Sequence, residues 1–212
     1  AQARNRGRTA QQAQPDVAAV MLILGIDPGS SGAFAVYDTE SRRLVGPVQD
    51  MPTWYQVVGK RKRPRLDAMA IADMFDEFQV MGVELIVMEA VGGRAHQNAA
   101  HAFTFGYGVG ILYMACFYSN IIIETVTPMT WKAYMRVPGK TKADDSAIMA
   151  RADELFPEDR HLFRGDRGGK KLDRAEAAMI ARYGADHLLP QMAKKPAIQP
   201  GEGWRTAYKI AD

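Results

Sequence analysis

The sequence predicts a mixed α/β fold, a five-stranded sheet whose first three strands are antiparallel, with helices on its faces. Two observations carry this. Three apolar runs, 21–27, 32–38 and about 44–50, follow in quick succession, joined by Pro28-Gly-Ser-Ser-Gly32 and Asp38-Thr-Glu-Ser41. Connections that short join antiparallel strands. From residue 66 onward, helical and strand patterns alternate as α, β, α, β, α. That alternation places helices on the faces of a sheet. With 212 residues, 47% of them hydrophobic, the chain can build one cored domain with tails.

Each element follows from a local pattern. Residues 1–20 hold Ala, Gln and Arg with no large apolar residue before Val17, the composition of a disordered basic arm. Scarce acidic residues leave organelle import open for that arm, although it lacks Ser. Residues 52–65 read as a basic loop. Leu66 to Val80 carries Leu66, Ala70, Met74 and Phe78 at helical spacing. Residues 84–89 are an apolar strand, 90–98 a glycine-bearing loop, and 99–118 a largely buried helix. Ile121 to Val126 is a β-branched strand. Pro128 suits the first turn of a short helix through about Met135. Lys142 to Leu155 is a further helix, stopped at Phe156-Pro157. A charged loop over 158–171 leads to the last helix, 172–187. Residues 190–212 form an irregular tail rich in Pro and Gly, so the domain runs from 21 to 189.

Composition excludes several classes. No apolar stretch reaches the roughly 18 residues expected of a membrane span. The longest candidate, Ile111 to Ile123, is broken by Tyr, Ser and Asn. A single cysteine, Cys116, allows no internal disulfide and fits a reducing compartment, hence the cytoplasm. The four histidines lack zinc-ligand spacing. Net charge is +3, and the first twenty residues supply +2 of it. The remaining cations are clustered at Lys60-Arg61-Lys62-Arg63 with Arg65, and at Arg160, Arg164, Arg167, Lys170, Lys171 and Arg174. Such patches suit a polyanion, and solvated loops are the plainer alternative.

Four acids stand out. Asp27 ends the first strand and Glu89 ends the fourth. Asp173 and Glu176 lie one helical turn apart near the start of the last helix. An apolar strand rarely ends in a carboxylate unless a cation waits there, because a buried unpaired charge is costly. If strands one and four are neighbours and the helix covers their ends, the four acids converge on hard divalent ions. Two such ions cut phosphodiesters. Taken singly, Asp27-Pro-Gly is also a turn, and Asp173-x-x-Glu176 is also a helix-capping pattern. Pro138-Gly-Lys140-Thr141 lacks the first glycine of a phosphate loop, since Tyr134 stands there.

The pieces Ile23-Leu-Gly-Ile-Asp27-Pro-Gly-Ser, Ile86-Val-Met-Glu89-Ala-Val, Val126-Thr-Pro-Met-Thr-Trp131-Lys132 and Asp173-Arg-Ala-Glu176-Ala-Ala-Met-Ile-Ala181 occur in that order. Together they resemble the RuvC family of Holliday junction resolvases, in its small phage and prophage form. The resemblance implies a ribonuclease-H-like fold and a homodimeric endonuclease that nicks opposed strands of four-way DNA, with no membrane role. It implies two Mg2+ per site, with Mn2+ as a substitute, held by Asp27, Glu89, Asp173 and Glu176. The family more often has Asp at the position of Glu176.

Lys132 and Lys142 match catalytic lysines of the family, with Lys140 as the alternative for the second. Lys60, Arg61, Lys62, Arg63, Arg94, Lys140, Arg167, Lys170 and Lys171 are the expected DNA contacts. Some relatives place an aromatic wedge just after the strand-ending Glu. Here no aromatic follows until Phe103, so Arg94, His96 or Gln97 takes that place, or the junction is opened differently. Phe103, Phe105 and Tyr107 are expected in the core. The rival readings are a ribonuclease H or broader branched-DNA nuclease, a junction-binding module that does not cut, and an ATPase of the kinase–actin type.

Overall fold

The structure, a computed structural model, describes residues 21–92, 98–137 and 142–192, the side chains of 142–144 excepted. The basic arm 1–20 and the tail from 193 lie outside the described residues, as do Arg94, His96, Gln97 and Lys140. The chain opens with β1 (Leu22–Asp27) and β2 (Ala33–Asp38), antiparallel, with Leu22 opposite Asp38 and Asp27 opposite Ala33. The third expected strand is two pieces, β3 (Arg43–Leu44) and β4 (Gln49–Asp50), both antiparallel to β2. Gly46, at φ 70°, lies between them.

The expected basic loop is instead a β-hairpin. Strands β5 (Thr53–Val58) and β6 (Arg61–Leu66) form a separate two-stranded sheet, turned at Gly59 with φ 61°. Trp54, Tyr55, Val57 and Val58 favour extended backbone, and backbone pairing tolerates charged side chains whose heads stay in water.

Helix α1 (Ala68–Met81) is capped by Asp67, whose Oδ1 accepts from the Met69 and Ala70 amides at 3.2 Å. It ends at Gly82, φ 84°. Strand β7 (Val83–Glu89) then pairs parallel to β1.

Helix α2 (Ala99–Tyr118) buries only one stripe, Gly108, Leu112 and Cys116. The expectation of a largely buried helix is therefore corrected. Phe103 and Tyr107 stand 73% and 61% exposed, outside the core, and Phe105 is half-buried. The helix is apolar on most of its surface, but one stripe with its flanks Ile111, Tyr113 and Ala115 docks it, and Phe103, Tyr107, Met114 and Tyr118 stay exposed. Its length and apolar composition would by themselves allow it to cross a membrane, which corrects the expectation that no stretch does.

Strand β8 (Ile122–Val126) pairs parallel to β7. The main sheet therefore runs β3-β2-β1-β7-β8, with β4 also on β2. Helices α3 (Pro128–Tyr134) and α4 (Lys142–Leu155), a 3-10 turn (Arg160–Phe163) and α5 (Leu172–Tyr183) follow. The last expected helix loosens into a π turn over Gly184–Leu188, before the short α6 (Leu189–Met192).

Strand parity sorts the core. Ile23, Leu85 and Val87 pack with Ile148, Ala177 and Ala181 of α4 and α5 on one face. Leu24, Ile26, Ile86 and Met88 pack with Ile71, Phe75 and Leu112 of α1 and α2 on the other. Gly25 shares the parity of Ile23, and a Cβ there would strike the Ala177 carbonyl and the Ala181 amide. Helix α5 thus lies directly on the backbone of β1.

Candidate active site

The same parity assembles the acids. Side chains alternate along a strand, so Asp27 shares a face with Ile23 and Gly25, and Glu89 shares one with Leu85 and Val87. Both carboxylates therefore point to the α5 side. Strands β1 and β7 are neighbours with Ile26 beside Met88, so the two acids end adjacent parallel strands. Helix α5 and the π turn that continues it run down β1: Gly184 meets Ile23, and Ala177 meets Gly25. Two residues up the strand span about 6.7 Å, and four residues back along the helix span about 6 Å. That step carries Gly25 to Asp27 and Ala177 to Asp173, which brings the two acids face to face.

Oxygens of Asp27, Asp173 and Glu176 lie within 4.8 Å of one another. Glu89 is outside that trio but close enough for its charge to raise the pKa of both Asp27 and Glu176. Its Oε2 accepts a 2.7 Å hydrogen bond from Nε1 of Trp131, which is fully buried. Helix α3 fixes that contact. Thr127 caps it, accepting from the Thr130 amide at 3.2 Å, and Pro128 begins it. Lys132, the next residue, places Nζ 2.6 Å from Glu176 Oε1.

Electrostatics show how strongly the acids conflict. Burial, then the charges of Glu176, Asp173 and Glu89, push Asp27 well above the ordinary carboxylate range, against a smaller pull from Lys132. Burial also raises Asp173, which accepts hydrogen bonds from the Asp27 carboxyl and from Ser31. Glu176 is raised by burial, with the bond and charge of Lys132 opposing. Neither helix acid caps α5, since the cap residue is Lys171 with no side-chain cap bond. The capping alternative therefore fails. A cluster of carboxyl oxygens beside one lysine, nearly buried and mutually repelling, fits hard divalent cations.

The expected cations divide. Lys171 lies 2.8 Å from Asp50 and Arg174 Nε lies 2.6 Å from it, while Arg164 pairs with Asp153. Lys170 Nζ donates to Ser146 at 3.2 Å. Lys60, Arg61, Lys62, Arg63 and Arg167 make no ion pair among the described residues. Lys142 opens α4, but its side chain lies outside the described set. Sequence reasoning assigned no role to Trp131, Ser31 or Asp50. Only Trp131 carried a signal, as the residue before Lys132.

Trp131→Phe removes the N–H that orients Glu89 and trims a fully buried ring system. Loss of such an orienting partner costs about 10–100-fold in metal affinity or activity. We expect weaker divalent-cation binding and a lowered melting temperature, read by titrating the protein with a divalent cation and by thermal unfolding.

No protein-family model matches the sequence, and no curated protein matches it. Solved structures do. RuvC of T. thermophilus in complex with a Holliday junction substrate superposes with a TM-score of 0.53 at 15% identity, covering 81% of this chain and 96% of that one. The fold is ribonuclease-H-like. Thermus thermophilus RuvC in a second structure gives a TM-score of 0.45 at 15% identity, over 78% of this chain and 95% of its own.

Proposed function

We propose that this chain is a structure-selective DNA endonuclease that resolves four-way junctions by paired nicks. The observation that carries the reading is the gathering of Asp27, Asp173 and Glu176 within 4.8 Å, with Glu89 beside them, at the strand ends of a RuvC-like sheet. Asp27, Glu89, Asp173 and Glu176 would hold two Mg2+, or Mn2+ in their place. When bound, such ions activate an attacking water and neutralise the leaving oxygen. The chain's own part is positioning. Trp131 aims Glu89, Ser31 steadies Asp173, and Lys132 stands as a fixed cation that can stabilise charge growing on the phosphate. Lys142 is the second lysine of this proposal.

A homodimer belongs to the same reading. A groove of about 620 Å3 between α1 and α2 is lined by Ala72, Phe75, Ile111, Met114 and Tyr118. Met114 and Tyr118 are 65% and 88% exposed, an apolar face suited to a second copy. A two-fold pair would present two sites to opposed strands.

The test compares a four-way junction with matched fork, flap, duplex and RNA–DNA hybrid in magnesium, each strand labelled. Symmetric nicks on the junction are expected. Equal cutting of plain duplex, or preference for the hybrid, refutes the proposal.

A further inference from the structure

Two cations flank the first helix acid. Lys171 is the cap residue of α5 and Arg174 stands in its first turn, on either side of Asp173 in the chain. Both grip Asp50 of β4. Arg174 donates from Nε to Oδ1 at 2.6 Å and from Nη2 to Oδ2 at 3.0 Å, and Lys171 Nζ donates to Oδ2 at 2.8 Å. The remaining Arg174 nitrogen, Nη1, donates to the Leu162 carbonyl at 3.2 Å. The guanidinium is thus held from behind and presents its Nε–Nη2 edge as a two-bond fork.

The sheet places this fork beside the acidic cluster. Asp27 lies opposite Ala33, and Ala33 lies opposite Asp50. Asp27 and Asp50 therefore share a face, two strand spacings or about 10 Å apart. Burial is the main cause of the raised Asp173 pKa, and the charge of Asp50 adds to it. A guanidinium edge with an ammonium beside it receives a carboxylate or a phosphate alike. Asp50 and Lys171 are each 42% exposed, so an anion from solution reaches the fork. Pairs this exposed add little to folding, and Ala177 and Ala181 already lie against Gly25 to seat α5.

We propose that Lys171 and Arg174 form a subsite for a DNA phosphate flanking the one that is cut, and that Asp50 fills it until that phosphate displaces it. This rests on the nuclease reading and deepens it. Asp50 hangs from a strand of two residues, and rotation about its side-chain bonds frees the fork while Leu162 keeps Arg174 in place. One anion replaces another, so the subsite sets the register of a strand and adds little affinity. DNA that lies nearby without seating a phosphate there draws nothing from the two cations, because Asp50 still neutralises them.

Removing the resident carboxylate tests this. Asp50→Asn keeps the side-chain shape without its charge, and Asp50→Ser is run beside it, so that any effect is tied to the lost charge in two side chains. The full chain and both variants are titrated in Ca2+ with a four-way junction, intact or carrying one neutral methylphosphonate at each phosphate within about three nucleotides of the crossover. Both variants are expected to bind the intact junction about tenfold more tightly. Their plot of log K against log salt should be steeper by about one. At one methylphosphonate position the gain should vanish, because a neutral group displaces nothing in the wild type and finds no charge to meet in the variants. Binding no tighter in either variant, or a gain that survives neutralisation at every position, overturns the subsite. The titrations read binding alone, so failure of the wild type to nick the junction in Mg2+ would instead sink the nuclease reading.

Discussion

Asp27→Asn is expected to abolish cutting and to stabilise the metal-free protein. The activity side follows from position. Asp27 is the one site acid on the central strand, 8% exposed and within reach of both helix acids. Losing a ligand worth several kcal/mol of charge stabilisation lowers the rate by about three orders of magnitude. The stability side follows from the raised pKa values of Asp27, Asp173 and Glu176. The unfolded carboxyls ionise near pH 4. Above that, the native state holds protons that the unfolded chain has released. The stabilising contribution of these groups is complete below about pH 4 and is lost as pH rises through the raised folded values. Asp50 runs the other way, because Arg174 and Lys171 lower its pKa, and its contribution is lost on the acid side. In EDTA, wild-type melting temperature should therefore fall from about pH 5 toward neutrality, and Asp27→Asn should flatten that slope and melt higher. Magnesium should raise the wild type and move the variant less. A variant that melts lower than wild type in EDTA at pH 7 contradicts this account.

Gly25→Ala should unfold the site from beneath. The added methyl would meet main-chain atoms of Ala177 and Ala181, which no rotamer change can move. Helix α5 must then lift off β1, carrying Asp173 and Glu176 with it. Overpacking costs about 1–3 kcal/mol, and a backbone collision belongs at the top of that range. That is a large share of the roughly 5–15 kcal/mol that holds a typical domain folded. Gly184→Ala is the control. Its methyl would meet side-chain atoms, Val87 Cγ2 at 2.6 Å and Ile23 Cγ2 at 3.1 Å, rather than backbone, so a smaller loss of about 1–2 kcal/mol is expected. Urea midpoints of the two variants decide the order, and cleavage should fall far more for Gly25→Ala.

The site was legible because its signals are local. Apolar strands ending in Asp27 and Glu89, and two acids one turn apart on a late helix, need only strand parity and one helical repeat to converge. The face to which α5 docks is written in Gly25, Ala177 and Ala181, although no spacing rule pairs them in advance. The Trp131–Glu89 bond was not legible, since it joins residues 42 apart across α2 and β8. The hairpin at 53–66 was missed because Lys60 to Arg65 masks the β-forming run before it. The outward face of α2 was misread for a different reason. Apolar composition states what a surface needs, and only the arrangement of the other elements states whether the same chain supplies it.

The position of α5 in the chain order has a consequence for biosynthesis. Asp27 emerges from the ribosome early, and Asp173 and Glu176 emerge after every strand of the sheet. At about 5–20 residues per second, the two halves of the acidic cluster are translated many seconds apart. A nascent or prematurely terminated polypeptide that stops before Leu172 carries every strand of the sheet but lacks Asp173 and Glu176, and with them most of the acidic cluster.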